Sequence, residues 1–221
     1  MTRRTFAQTV LAALPASRLG AAPSWEQQPP EEWSDEHLDE LLVDSPWAKS
    51  ANVLFTGGSG GGGSFPGSGG GRGRTGIPGG GWPGRFAFDA DEAPVVRWES
   101  ALPIRHALAA RRNEPALTEH DPSHYEVVLT GLPFGAAPMA ERPQRILAGC
   151  ALARKGRAQI RPERLEILPR PGAPGVRFLF PRDKQVDLED RSVEFLLSLD
   201  DYQVTRKFKL KEMVYRGRLE L

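Results

Sequence analysis

His120 and His124 stand four residues apart in Glu119-His120-Asp121-Pro122-Ser123-His124, a spacing that on one helical face would bring two imidazoles toward a shared metal ion. Pro122 lies between them and disfavours that helix, and no third ligand follows at a recognisable spacing. The stretch therefore reads as a polar loop leading into a strand at Tyr125, with His120 and His124 as weak metal candidates. Serine hydrolysis needs a nucleophile on a tight strand-to-helix turn, with rigid donors for the oxyanion. Gly67-Ser68-Gly69 lies in low-complexity sequence and offers neither. A glycosidase needs two carboxylates fixed across a cleft. Asp183, Asp187, Glu189 and Asp190 are close in sequence, but their place after Phe180-Pro181 is that of a charged loop. Arg154, Lys155, Arg157, Arg161 and Arg164 form a basic run that could meet an anionic polymer or lipid headgroups. Glu163 and Glu166 within reach make a self-paired, solvated face the simpler reading. No catalytic residue and no cofactor emerges from these patterns, and the glycine-rich stretch lacks the Gly-Lys-Ser/Thr of a phosphate cradle.

The elements that must position such residues begin after an address. Arg3 and Arg4 give a basic start, Phe6 to Ala16 a short apolar core, and Gly20, Ala21 and Ala22 small residues for a cut, expected after Ala21. Residues 1–21 thus read as a signal peptide. The core is far shorter than the roughly 20 apolar residues that span a bilayer, so no transmembrane segment is expected in the mature chain. Thr2-Arg3-Arg4-Thr5-Phe6 resembles the twin-arginine signal, with Ala7 and Gln8 where Leu and Lys are usual. That resemblance implies export of an already folded protein to the periplasm or the extracellular space. Net charge over the 221 residues is +1, which makes no electrostatic case for nucleic acid or acidic lipid. Cys150 is the one cysteine, so no intramolecular disulfide forms and packing must supply stability; it reads as a small buried apolar residue.

Residues 22–55 form a short acidic helical segment. Ser34 is an N-cap followed by Asp35 and Glu36, Trp33 and Leu38 have the spacing of a hydrophobic staple, and Leu38, Leu41 and Leu42 make one stripe before Pro46. A helix this short is not stable alone. It docks either on its own domain or in a partner's groove, which makes Trp33, Leu38, Leu41, Leu42 and Trp47 the partner-binding candidates. Residues 56–85 are glycine-rich and expected to be a disordered tether.

Residues 86–221 are the expected globular body. Val95–Trp98 and Glu126–Thr130 read as strands, and Ala101–Arg112 and 141–154 as helices. Leu165–Leu168 and Val176–Phe180 read as a hairpin. Val193–Leu199 and Val204–Leu210 alternate across an Asp200-Asp201 turn, and Arg218–Leu221 is a last strand. The expected fold is mainly β: an antiparallel sandwich or small barrel with one or two covering helices.

Ser45-Pro46-Trp47-Ala48-Lys49, Val96-Arg97-Trp98-Glu99-Ser100-Ala101-Leu102-Pro103, Arg154-Lys155-Gly156-Arg157, Phe178–Arg182 and Phe208–Gly217 carry a further resemblance. On these residues the chain resembles a family of exported bacterial proteins without an assigned activity. The resemblance implies an exported, mostly β protein and brings no catalytic residue. The expected function is a non-enzymatic module that binds an envelope protein or surface. The alternatives are an exported hydrolase, marked by His106, His120 or His124 beside a carboxylate in a cleft, and a periplasmic small-ligand carrier with an apolar pocket inside the β-body.

Overall fold

The computed structural model describes Trp25 and residues 28–55, 93–114, 120–132, 142–168, 175–200 and 202–221. The expected signal, with Arg3, Arg4, Phe6 and Ala21, and the glycine tract lie outside the described residues. The chain is mainly β, with eleven strands in antiparallel sheets and three α-helices among the described residues.

The first helix, α1 (Asp35–Val43), starts as its cap demands. The His37 N–H donates to Ser34 Oγ at 3.3 Å, and the Ser34 N–H donates to His37 Nδ1 at 3.4 Å. Leu38, Leu41 and Leu42 face inward. Ser45 makes the exit: its hydroxyl donates to the Leu41 carbonyl at 2.8 Å and accepts from the N–H groups of Trp47 and Ala48. The chain then runs through β1 (Ala48–Ser50) and β2 (Asn52–Phe55).

These two strands were not legible as such, because Ala-Lys-Ser-Ala-Asn shows no run of β-branched residues and little alternation. They are set by what they pair with. β1 joins a five-stranded sheet in the order β1, β3 (Val95–Trp98), β4 (His124–Thr130), β7 (Gly175–Pro181), β6 (Arg164–Leu168). β2 joins a four-stranded sheet in the order β2, β9 (Tyr202–Lys209), β8 (Ser192–Ser198), β5 (Cys150–Arg154). One extended run therefore stitches both sheets together, and the folded body includes residues that precede the glycine tract. A two-stranded hairpin, β10 (Val214–Tyr215) and β11 (Arg218–Leu219), turns at Arg216 and Gly217, both with positive φ.

Val96 and Trp98 of β3, Val127 of β4 and Phe178 and Phe180 of β7 share the inner face and fill the space between the sheets with Phe195, Leu197, Val204 and Phe208. Trp98 meets Phe208 edge-on with ring centroids 6.0 Å apart, and Phe178 meets Phe195 at 5.6 Å. The sheets stay open, so of sandwich and barrel the sandwich is realised. α1 packs against the second helix, α2 (Leu102–Arg111), and α1 also covers β1 and β3. Pro103 sits in the first turn of α2, where its missing N–H costs nothing.

The expected helix over 141–154 is corrected. The third helix, α3 (Pro143–Gly149), is short, and the chain turns at Cys150 into β5. Cys150 to Leu152 are buried and pair with β8, so the apolar run serves a strand enclosed on both faces. Cys150 is a buried residue as its composition suggested, with burial pushing its thiol pKa well up.

Candidate functional site

The partner-binding candidates come first, because the structure relocates them. Trp33, Leu38, Leu41, Leu42 and Trp47 all belong to the chain's own core. The Trp47 ring is enclosed by Trp25, edge-on at 5.7 Å, and Tyr215 at 6.4 Å, and its indole N–H donates to the Glu220 carbonyl at 2.8 Å. The stripe docks intramolecularly, since the body offers α2 and the outer side of β1 and β3 as its groove. Of the two docking modes the sequence allowed, the chain uses its own surface.

What this leaves outward is the acidic side of the same segment. A 3-10 turn, Pro30–Glu32, leads into Trp33, whose indole N–H donates to the Trp25 carbonyl at 2.9 Å. The Trp33 ring stands edge-on to His106 of α2, with centroids 6.2 Å apart. Between this turn, the start of α1 and the end of α2 lies an open groove of about 500 Å³, lined by Glu31, Trp33, Asp35, Leu38, His106 and Glu114 among others. Asn113, in the left-handed region at φ 53°, ends α2 at one margin. Burial lowers the His106 pKa, with Arg216 and Arg105 adding to the effect against Glu31, which favours the neutral imidazole. The carboxylates of Glu31, Asp35 and Glu114 thus set the sign of the groove, with Arg112 3.8 Å from Glu114. Glu32, Glu36 and Glu40 extend the exposed negative face, Asp39 pairs with Arg111 of α2, and no Lys or Arg occurs between residues 28 and 48.

The histidines of the metal candidate are drawn apart in role. His124 opens β4; its Nδ1 lies 2.7 Å from Asp121 Oδ2 and its Nε2 3.1 Å from Glu163 Oε2. Burial works against its charge, but the bonds to Glu163 and Asp121 prevail and raise its pKa. Asp121 is held at about 2 by the hydroxyl and N–H of Ser123, with His124 adding to both. His124 is therefore a clasp between two carboxylates. His120 lies instead in a cleft of about 60 Å³ with Glu99, Arg105, Glu126 and Arg177, its pKa lowered first by burial and then by Arg105. Among the described residues no group of three or more His, Cys, Asp or Glu is placed to hold a metal.

The carboxylates around His120 belong to a charge network that the sequence did not announce, since its members come from four separate strands or their ends. Glu99, only 3% exposed, pairs with Arg97 and with Arg177 at 3.2 Å. Arg177 also reaches Glu126 and Glu166, each at 3.4 Å. The alternation of β3, β4 and β7 turns these charges to the face opposite the sandwich core. The basic run and the acidic loop likewise find each other. Arg157 reaches Asp187 at 3.1 Å, Glu189 at 3.3 Å and Asp190 at 3.0 Å, and the buried Arg154 lies 3.6 Å from Asp190. That pairing favours the self-neutralised face over an anion-binding strip. The rings of Trp98 and Phe208 and of Phe178 and Phe195 pack between the sheets.

No helix among the described residues is long and apolar enough to cross a membrane. No protein-family model, curated protein or solved structure matches this chain.

Proposed function

We propose that this chain is an exported, non-enzymatic binding domain whose contact surface is the acidic groove between α1 and α2. The observation that carries it is the pairing of carboxylates at Glu31, Asp35 and Glu114 with the part-apolar lining of Trp33, Leu38 and Ala109. The partner it fits is an envelope protein offering a cationic segment with an apolar anchor. The rim charges steer the encounter and fix orientation, while the aromatic lining supplies the contact that excludes water. The same sign disfavours nucleic acid as a ligand. The signal peptide expected at residues 1–21 supports an encounter outside the cytoplasm.

A short peptide containing Arg and Leu, titrated against the mature chain with tryptophan fluorescence as readout, tests the groove. Saturable binding that weakens with salt is expected, with at least about a tenfold loss in Glu31→Lys/Asp35→Lys, since juxtaposed like charges cost several kcal/mol. Binding indifferent to charge reversal overturns the assignment. Fractionation of the native host with N-terminal sequencing tests export: a start at Ala22 in the envelope is expected, and an intact Met1 in the cytoplasm overturns it.

A second reading, an exported hydrolase, is favoured by one observation: His120 is a low-pKa imidazole in a cleft beside Glu126. In that reading His120 takes a proton from water. A hydrolytic activity lost in His120→Ala but kept in the groove variant would favour it over the binding domain.

A further inference from the structure

His106 is the one imidazole among the residues that line the acidic groove, and it stands on α2, which packs against the 3-10 turn Pro30–Glu32. Its ring centroid lies 6.2 Å from that of Trp33. Burial opposes charge on the His106 ring most strongly, and the Glu31 carboxylate of the 3-10 turn favours it. Arg216, in the turn between β10 and β11, and Arg105, its neighbour on α2, oppose it. The remaining carboxylates of the groove are Asp35, at the start of α1, and Glu114, just past α2. Arg111 and Arg112, at the end of α2, pair with Asp39 and Glu114. A neutral imidazole leaves Glu31 and Trp33 to whatever enters the groove. An imidazolium draws on both: it is held by Glu31, and it lies at the limit of about 6 Å within which a cation is attracted to an indole ring. These are the same two groups that a partner's cationic side chain needs.

We propose that the groove takes up its cationic partner in exchange for a proton at His106. The proposal rests on the acidic groove being the contact surface, and it adds how that surface is regulated. Protonated, His106 is the groove's own cation. It engages Glu31, leaves Asp35 and Glu114 to face a partner alone, and repels an incoming guanidinium or ammonium. Loss of the proton frees Glu31 and removes the repulsion. Proton and partner therefore compete for one place. By linkage, a bound cation weakens proton binding at His106 by the same factor as the proton weakens cation binding. The direction follows: binding strengthens as pH rises through the imidazole range, and acid releases the partner. Side-chain carboxylates in general titrate near about pH 4, so the range above about pH 5.5 reports on imidazole. His37, which shares the Ser34 cap of α1 but does not line the groove, is the internal control.

Calorimetric titration of the Arg- and Leu-containing peptide into the full mature chain tests this, in buffers that differ in ionisation enthalpy. The dissociation constant should rise at least about threefold between about pH 7.5 and about pH 5.5, and binding near about pH 6 should release protons to the buffer. His106→Gln should lose both the pH dependence and the proton release. His37→Gln, which keeps a residue able to close the capping box, should retain both. The proton count on the unaltered chain decides the matter even where His106→Gln is poorly folded. Equal affinity at the two pH values, or binding without proton release, overturns the exchange while leaving the groove reading intact. Proton release that persists in His106→Gln and vanishes in His37→Gln also overturns it. A peptide that fails to bind near about pH 7.5 overturns the groove reading, and the exchange with it.

Discussion

His124 joins two carboxylates from segments far apart in the chain, Asp121 just before β4 and Glu163 just before β6. Its pKa is raised in the folded protein, so its contribution to stability is fully present below the unfolded value of about 6.5 and fades as pH rises through the folded value. Both carboxylates face solvent, so the effect is small, about 0.5 kcal/mol after screening. His124→Gln should therefore lower the urea midpoint near pH 5 and leave it almost unchanged near pH 8. An equal loss at both would mean that packing, and not the proton, is at work. Sequence spacing could nominate His120 and His124 together, since both carry imidazole. It could not show that Asp121 and Glu163 would engage one ring while α2 and the outer sheet face surround the other.

At the scale of elements, the turn from α3 into β5 depends on Gly149. A Cβ at that position would come within 2.3 Å of the Ser198 carbonyl oxygen, a backbone atom that cannot swing aside. Gly149→Ala should cost about 1–3 kcal/mol through forced movement of β8, read as a lowered melting temperature. An unchanged melt would show that the backbone relaxes freely there. The same junction explains where periodicity misled. Ile146, Leu147, Cys150 and Leu152 satisfy a helical face, but Cys150–Arg154 is also short and apolar enough to be an enclosed strand. Strands with alternating residues, β8 and β9, were legible because one face is core and the other is not. β1 and β2 were not, because partners on β3 and β9 supply what their own side chains lack.

For the whole molecule, the run 48–55 spans both sheets and Trp47 lies at their junction with the C-terminal segment. The described residues share one contiguous core, so unfolding should be a single transition. Trp47→Ala should cost about 3–5 kcal/mol and shift the near-ultraviolet and far-ultraviolet circular dichroism transitions together. A separate early transition of the Trp signal would show instead that the α1 segment melts from an intact sandwich. The acidic face of α1 is a consequence of the same packing. Once the leucine stripe is docked on α2, Asp39 pairs with Arg111 of α2, while Asp35, Glu36 and Glu40 stay exposed.

Local chemistry was enough to set the capped helix at Ser34, the alternating strands, the buried Cys150 and the antiparallel β class, because each depends on neighbours within a few residues. The signal expected in residues 1–21 and the glycine tract lie outside the described residues and are readings of the sequence alone. Only the tertiary structure decided that Trp47 is enclosed in the chain's own core, that Trp33 packs there while its edge lines the α1–α2 groove, and that Glu99 and Glu126 share Arg177. Those outcomes depend on which strands become neighbours. That is a property of the whole chain's packing, and no window of the sequence contains it.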